Sequence, residues 1–233
     1  MRNIDFLKEN LIAHRGLYED GIPENSISSF ERAIKFGYIV ELDIHLLKDN
    51  NIVVFHDDNL KRMYDKDIAL KNSTYDELKR YNIPLFKDVL ALVNGQVPLI
   101  IELKCDNDIG KLENEVTKYL DNYNGEFAVK SFDPRRIRWF KINRPNYIRG
   151  VLFTDRGDYP VYLIYLYTRI LVKPDFISVR YTCLDKWYIK RYRKKVLVLT
   201  WVIRNKKLYS KLKNKADNYI GEGMDKWNIN FMR

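Results

Sequence analysis

The chain has 233 residues, 46% of them apolar, and a formal net charge of +10. That length fits one domain of α/β-barrel size, and the apolar fraction supports a substantial core, which excludes wholesale disorder. Two cysteines are too few for a disulfide framework and read as small buried hydrophobes.

The N-terminal MRNIDFLKEN carries charges where a signal peptide needs an apolar run. No segment reaches the ~18–20 apolar residues of a spanning helix, so a cytoplasmic protein is expected, at most peripheral to a membrane. The positive charge is unevenly placed. Between Lys186 and Lys215 stand twelve Lys/Arg and no Asp/Glu. Such a block reads either as a solvated outer face or as a surface for an anionic partner.

Short apolar, β-branched runs alternate with longer helical patterns. Strands are expected at Leu11–His14, Tyr38–Leu46, Val97–Lys104, Glu126–Lys130, Tyr147–Phe153, Asp175–Arg180, Val196–Val202 and Asn218–Gly221. Helices fit between them, as at Glu24–Phe36, Ile109–Tyr123 and Asn205–Lys215. The longer gap from Asn51 to Gln96 holds an extended piece, Asn51–His56, and a helix near Pro84–Val93. Eight strands in this rhythm make a parallel sheet. No phosphate-binding glycine fingerprint follows the first strand, so a (β/α)8 TIM-type barrel is preferred to an open doubly wound sheet. No linker, repeat or low-complexity tract divides the chain. One domain over 1–233 is expected, with a short insertion between the second and third barrel strands.

Strands of a parallel barrel are covered on both faces and should be nearly all apolar. Two of these are not. Glu41, Asp43 and His45 alternate with Leu42, Ile44 and Leu46, and Glu102 and Lys104 alternate with Ile101 and Leu103. A period of two puts each polar set on one face. The apolar face must pack on the helices, so the carboxylates point into the barrel, near the strand ends where barrel sites assemble. The alternative is a pair of polar strands at a sheet edge with surface salt bridges.

Three converging carboxylates need a counter-charge, and an all-oxygen donor set suits Mg2+ or Ca2+ rather than zinc. Lys104 and Arg15 add positive charge suited to a phosphate. The chain's three histidines all stand at or beside these strand ends, and His14 and His56 read as an acid–base pair, since imidazole titrates near neutrality.

In this order the residues resemble the glycerophosphodiester phosphodiesterase family. The motifs are His14-Arg15-Gly16 ending the first strand, Pro23-Glu24-Asn25-Ser26 before a helix with Phe30 and Ala33, and the Glu41-x-Asp43 strand. His56-Asp57 follows, with Leu60 and Arg62, then the Glu102-x-Lys104 strand, Ser131-Phe132 and Trp201. The match is dense over 11–62 and 99–104 and thinner beyond. The resemblance implies a (β/α)8 barrel that hydrolyses glycerophosphodiesters to glycerol 3-phosphate and an alcohol. It implies a divalent metal on Glu41, Asp43 and Glu102, His14 as general base and His56 as general acid. It also places Arg15 and Lys104 on the phosphate and Trp201 in the glycerol or leaving-group pocket.

Two departures stand out. The insertion after the second strand is short, and the family's Thr-Asp-x-Pro after the last strand is replaced by Gly221-Glu222-Gly223-Met224. Head-group choice and closure of the helical ring are where these departures act. The rival activities are a lysophospholipase-D-like or transesterifying phosphodiesterase on membrane lysophospholipids, and a non-catalytic barrel that binds phosphorylated ligands. Pro160–Val172 is apolar and Tyr-rich, which suits either a buried helix or contact with an anionic membrane. No nucleic-acid motif accompanies the basic block, so the expected partner is a small-molecule glycerophosphodiester and not nucleic acid.

Overall fold

The computed structural model describes residues 3–104, 108–155 and 161–227. Nine strands form one sheet: β1 (Ile12–Ala13), β2 (Ile39–Leu46), β3 (Ile52–Val54), β4 (Leu99–Leu103), β5 (Phe127–Ser131), β6 (Ile148–Phe153), β7 (Phe176–Arg180), β8 (Leu197–Ile203) and β9 (Asn218–Gly221). All but β3 run parallel, and β1 pairs with both β2 and β9, with Ile12 opposite Ile39 and Ile220. The ring therefore closes as an eight-stranded TIM-type barrel, and β3 lies antiparallel against β2. Every expected barrel strand is present, with ends shifted by at most two residues.

The helices are α1 (Phe6–Glu9), α2 (Ile27–Lys35), α3 (Lys61–Tyr64), α4 (Tyr75–Leu78), α5 (Phe86–Val93), α6 (Lys111–Leu120), α7 (Pro134–Asn143), α8 (Val161–Tyr167), α9 (Trp187–Tyr192) and α10 (Lys206–Leu212). α8 runs on into a π turn, Thr168–Val172. After β9 only a short 3-10 turn, Met224–Trp227, follows among the described residues. Cys105 and Pro160 lie outside them; Cys183 is buried.

α2 starts three residues later than its pattern suggested. Asn25 sits in the left-handed region (φ 52), and Ser26 caps the helix by accepting from Ser29 N while Ser29 Oγ accepts from Ser26 N. Glu24 and Asn25 are thus held ahead of the helix, with their side chains free for the barrel mouth.

One apolar residue from each barrel strand packs the interior floor: Ile12, Ile39, Ile100, Ala128, Ile148, Phe176, Leu199 and Ile220. Phe6 and Leu7 of α1 plug the floor from below, and Asn218 Nδ2 ties that helix down by donating to Leu7 O (2.7 Å) and Asn10 O (2.6 Å). The outward strand faces bury against helices in two clusters, Val40, Leu42, Ile44, Ile101 and Leu103 against α2, α5 and α6, and Val151, Val179 and Val198 against α8 and α9. The stretch between β2 and β4 is more than a connector. Leu47, Val53, Phe55, Leu60, Leu70, Leu78, Ile83 and Leu85 close a small core of their own, which anchors the loop carrying His56.

Candidate active site

With Ile39 on the floor, the period of two in β2 turns Glu41 and then Asp43 inward above it. In β4 Ile100 is followed by Glu102 in the same way. The parallel register sets Asp43 opposite Glu102, Glu102 opposite Lys130 on β5, and Lys130 opposite Gly150 on β6. The charged row stops at Gly150, because a Cβ there would lie 2.2 Å from the Phe176 ring, which fills that side of the interior.

Glu41, Asp43 and Glu102 are buried, and one oxygen from each lies within 4.8 Å of the others. Burial alone would push such carboxyls up. For Asp43 burial is outweighed by Lys104 and Arg15, and for Glu102 by Lys104 and Lys130, so both are held below the usual carboxylate range. Lys104 Nζ is 2.7 Å from Asp43 Oδ1 and 2.7 Å from Glu102 Oε1. Lys130 Nζ is 2.8 Å from Glu41 Oε1 and 3.2 Å from Glu102 Oε2. Arg15 N donates to Glu41 Oε2 (3.0 Å), and Asn25 Nδ2 donates to Asp43 Oδ2 (2.9 Å). Glu41 Oε1 is buried and has only the Lys130 ion pair, without the alignment of a hydrogen bond. An all-oxygen set with one such under-satisfied lone pair fits a hard divalent cation.

The His14-Arg15-Gly16 turn brings its residues into this cluster. Arg15 and Gly16 both have positive φ, and a Cβ on Gly16 would lie 2.4 Å from Ser29 Oγ, so only glycine lets α2 approach so closely. Arg15 Nη1 donates to Glu24 Oε1 (2.7 Å), and its Nε, 3.5 Å from Asp43 Oδ2, has no hydrogen bond. His14 Nδ1 is 2.9 Å from Glu222 Oε1. Burial opposes ionisation of Glu222, but the pairing with His14 and the bonds from Tyr18 and Arg204 bring it down to about 2.

His56 Nδ1 is 2.6 Å from Asp57 Oδ1, and Arg62 bridges Asp57 to Glu24. Each imidazole thus has a carboxylate on Nδ1, leaving Nε2 as the nitrogen able to exchange a proton. Burial first, and Lys104 second, hold the His56 imidazole below its ordinary value, against the pull of Asp43 and Asp57. His45 is brought down to about 4 by burial and then by Lys104, so it is neutral, and its Nε2 reaches His56 O at 3.3 Å. It props the His56 loop.

A cleft of about 640 Å³ opens over these groups, lined by His56, Asp57, Asp58, Asn59, Lys61, Arg62, Glu102, Lys104 and Phe132. His14, Arg15, Glu41, Asp43 and Trp201 lie outside that lining. Trp201 is half-buried and meets the Phe132 ring edge-on at 5.8 Å, and its buried Nε1–H has no partner. Of the residues expected at the site, Glu41, Asp43, Glu102, Arg15 and Lys104 form one ion network, and His14 and His56 flank it at neighbouring strand ends. Trp201 joins only through Phe132.

The sequence assigned no role to Lys130, to Glu222 or to Asn25, although Asn25 stands in the Pro23–Ser26 motif. Lys130 did leave a signal, a lysine at the inward phase of an apolar strand. Glu222 follows the last strand, where β9 delivers Gly221 O to His14 N (3.0 Å), but nothing local in the sequence pairs it with a residue 208 positions away.

Residues 14–217 match the glycerophosphoryl diester phosphodiesterase family. The YhdW protein of Bacillus subtilis (strain 168) is 28% identical over 229 residues, 87% of this chain and 89% of that one. A glycerophosphodiester phosphodiesterase of Bacillus altitudinis is 30% identical over 164 residues, 62% of this chain and 66% of that one. In fold, the chain is similar to the Oleispira antarctica phosphodiesterase OLEI02445, with a TM-score of 0.77, 21% identity, and coverage of 91% and 92%. With most of its length matched and the barrel and its acidic mouth in place, this chain belongs to the glycerophosphoryl diester phosphodiesterase family and is a phosphoric diester hydrolase.

Proposed function

We propose that the protein hydrolyses glycerophosphodiesters to glycerol 3-phosphate and an alcohol, with a divalent ion, Mg2+ or Ca2+, held by Glu41, Asp43 and Glu102. The observation that carries this is the convergence of three buried carboxylates from two strands with two carboxylate-paired imidazoles beside them. The Oleispira antarctica phosphodiesterase of the same fold was solved in complex with the product sn-glycerol-3-phosphate, which supports the substrate class. When bound, the ion supplies positive charge to the non-bridging phosphate oxygens. Arg15, through its unpartnered Nε, and Lys104, at the cleft wall, add theirs.

His14 takes the proton from the attacking hydroxyl as its oxygen bonds to phosphorus, with Glu222 holding the ring through Nδ1 and stabilising the cation that forms. The bond from phosphorus to the alcohol oxygen breaks, and His56 gives that oxygen its proton. His56 is depressed in the free protein, so it takes up this proton as the anionic substrate arrives and offsets Lys104 and Arg15. The attacking hydroxyl belongs to water or to the glycerol moiety of the substrate itself, the latter giving a cyclic phosphate first. Trp201 with Phe132 forms an aromatic wall for the glycerol or leaving group.

The test is a metal-dependence assay on a panel of glycerophosphodiesters with a lysophospholipid included, products identified. No turnover of any glycerophosphodiester with either ion, on a chain shown to be folded, sinks the reading.

A second reading, peripheral contact with an anionic membrane and action on lysophospholipids there, is favoured by one observation. Leu163, Ile170 and Leu171 on α8 and its π turn and Trp187 on α9 are all exposed, with Lys173, Lys186 and Lys190 exposed beside them in the sequence. Among the described residues no helix is long and apolar enough to cross a membrane. Sedimentation with anionic vesicles at low and high salt tests this, and absence of salt-sensitive binding ends it.

A further inference from the structure

The three carboxylates face three cations: Arg15, Lys104 and Lys130. Much of the carboxylate charge is therefore already offset before any ion enters, although Arg15 also pairs with Glu24. The two lysines are not equivalent. Lys104 is 13% exposed at its side chain and lines the cleft, so it can turn toward a phosphate. Lys130 is 3% exposed, lies deeper in the barrel between Glu41 and Glu102, and has no route out. Its Nζ, 2.8 Å from Glu41 Oε1 and 3.2 Å from Glu102 Oε2, stands at ion-pair distance from both carboxylates at once.

Building on the metal-site reading above, we propose that Lys130 is a built-in counter-cation that fixes Glu41 and Glu102 together in the absence of metal and keeps the affinity for the divalent ion low. Its physical basis is charge counting. A 2+ ion drawn to Glu41, Asp43 and Glu102 would enter a site where two of the three carboxylates already pair with a buried ammonium, and like charges a few ångströms apart in a buried site repel strongly. An anionic phosphodiester restores part of the balance, so the ion and the substrate should strengthen each other's binding, reciprocally. The two oxygens held by Lys130 are also the ones that would otherwise repel each other across β2 and β4, so removing it should loosen the metal-free mouth.

The experiment is calorimetric titration of Mg2+ and Ca2+ into the wild-type chain, Lys130→Met and Lys130→Gln, each with and without glycerol 3-phosphate, beside thermal melts. Both variants should bind the ion about tenfold tighter or more, with a smaller gain from glycerol 3-phosphate than the wild type shows. Their metal-free melting points should fall, and saturating metal should raise them by more than it raises the wild type. A lysine that merely fills space would lower the melting point and leave ion affinity where it was; unchanged or weaker affinity in both variants overturns the proposal. Should neither variant fold even with metal, the wild-type chain carries the test. Saturating Mg2+ must then move the side-chain methylene signal of Lys130 in a lysine-selective spectrum, and a signal that stays put overturns it. A wild-type chain that binds no ion, or Glu102→Gln binding as well as wild type, sinks the metal-site reading instead.

Discussion

The two halves of this barrel repeat one βα unit yet place their charge on opposite sides. In the first half, β1 to β5, the inward positions above the floor carry Glu41, Asp43, Glu102 and Lys130, and the helices outside them bury an apolar cluster. In the second half the corresponding inward positions on β6 to β8 are Gly150, Ser178 and Trp201, with Glu222 after β9 the charged exception, while the exposed surface carries most of the block from Lys186 to Lys215. Charge is affordable inside a barrel only where neighbouring strands supply the opposite sign at contact distance. β2, β4 and β5 do so in register; β6 ends the row with a glycine that makes room for Phe176. Chemistry is concentrated where that matching is possible, and the other half supplies shape and, in Glu222, the partner of His14.

Breaking the first half should have the largest effect. Asp43→Asn or Glu102→Gln is expected to take turnover to background and abolish ion binding by calorimetry. His14→Ala and His56→Ala should each cost about 10²–10⁴-fold in kcat with the melting point nearly unchanged, and substantial activity in both would refute the acid–base pair. The contrast sharpens with an ion pair that serves stability alone. Arg136 on α7 and Glu113 on α6 are fully buried at 2.7 Å in the helical layer. Arg136→Met should leave Glu113 uncompensated and cost about 3–5 kcal/mol by denaturant unfolding, with kcat intact in the folded fraction. A parallel loss of kcat would mean that the helical layer and the mouth are not so separable.

Smaller effects probe the partners of the imidazoles. Glu222→Gln keeps the size but not the charge that fixes the His14 tautomer, so a fall of about tenfold or more in kcat is expected. The acid sensitivity of the fold should also ease. Glu222 is depressed to about 2 in the folded chain, so the stability it contributes is present above its unfolded value and is lost as pH falls toward 2. Melts of wild type and variant between pH 5 and 2, taken as about the interval of that loss, check it. The smallest effect is a displacement. His56 is depressed in the free protein and must be protonated to act, so kcat/KM should fall with rising pH before kcat does. Coincident limbs in the two profiles would remove His56 from the acid role.

Much of this was legible in the chain itself. A period of two, with carboxylates interrupting apolar strands, fixes which side chains face inward, because successive strand residues must point to opposite faces. That was enough to bring Glu41, Asp43 and Glu102 together on paper, and the ordered motifs from His14 to Lys104 supplied the family. Element ends were less legible. α2 begins at Ile27 because Asn25 turns left-handed and Ser26 caps, and that is what hands Glu24 to Arg15 and Arg62.

What folding alone decided is pairing across long separations. Glu222 meets His14 because the ring closes β9 onto β1, and Lys130 meets Glu41 because β4 stands between β2 and β5 at one register and not another. Local sequence sets the face on which a side chain lies. The closed barrel's stagger sets which faces meet, and an ion pair, acting over a few ångströms, depends on the second as much as on the first.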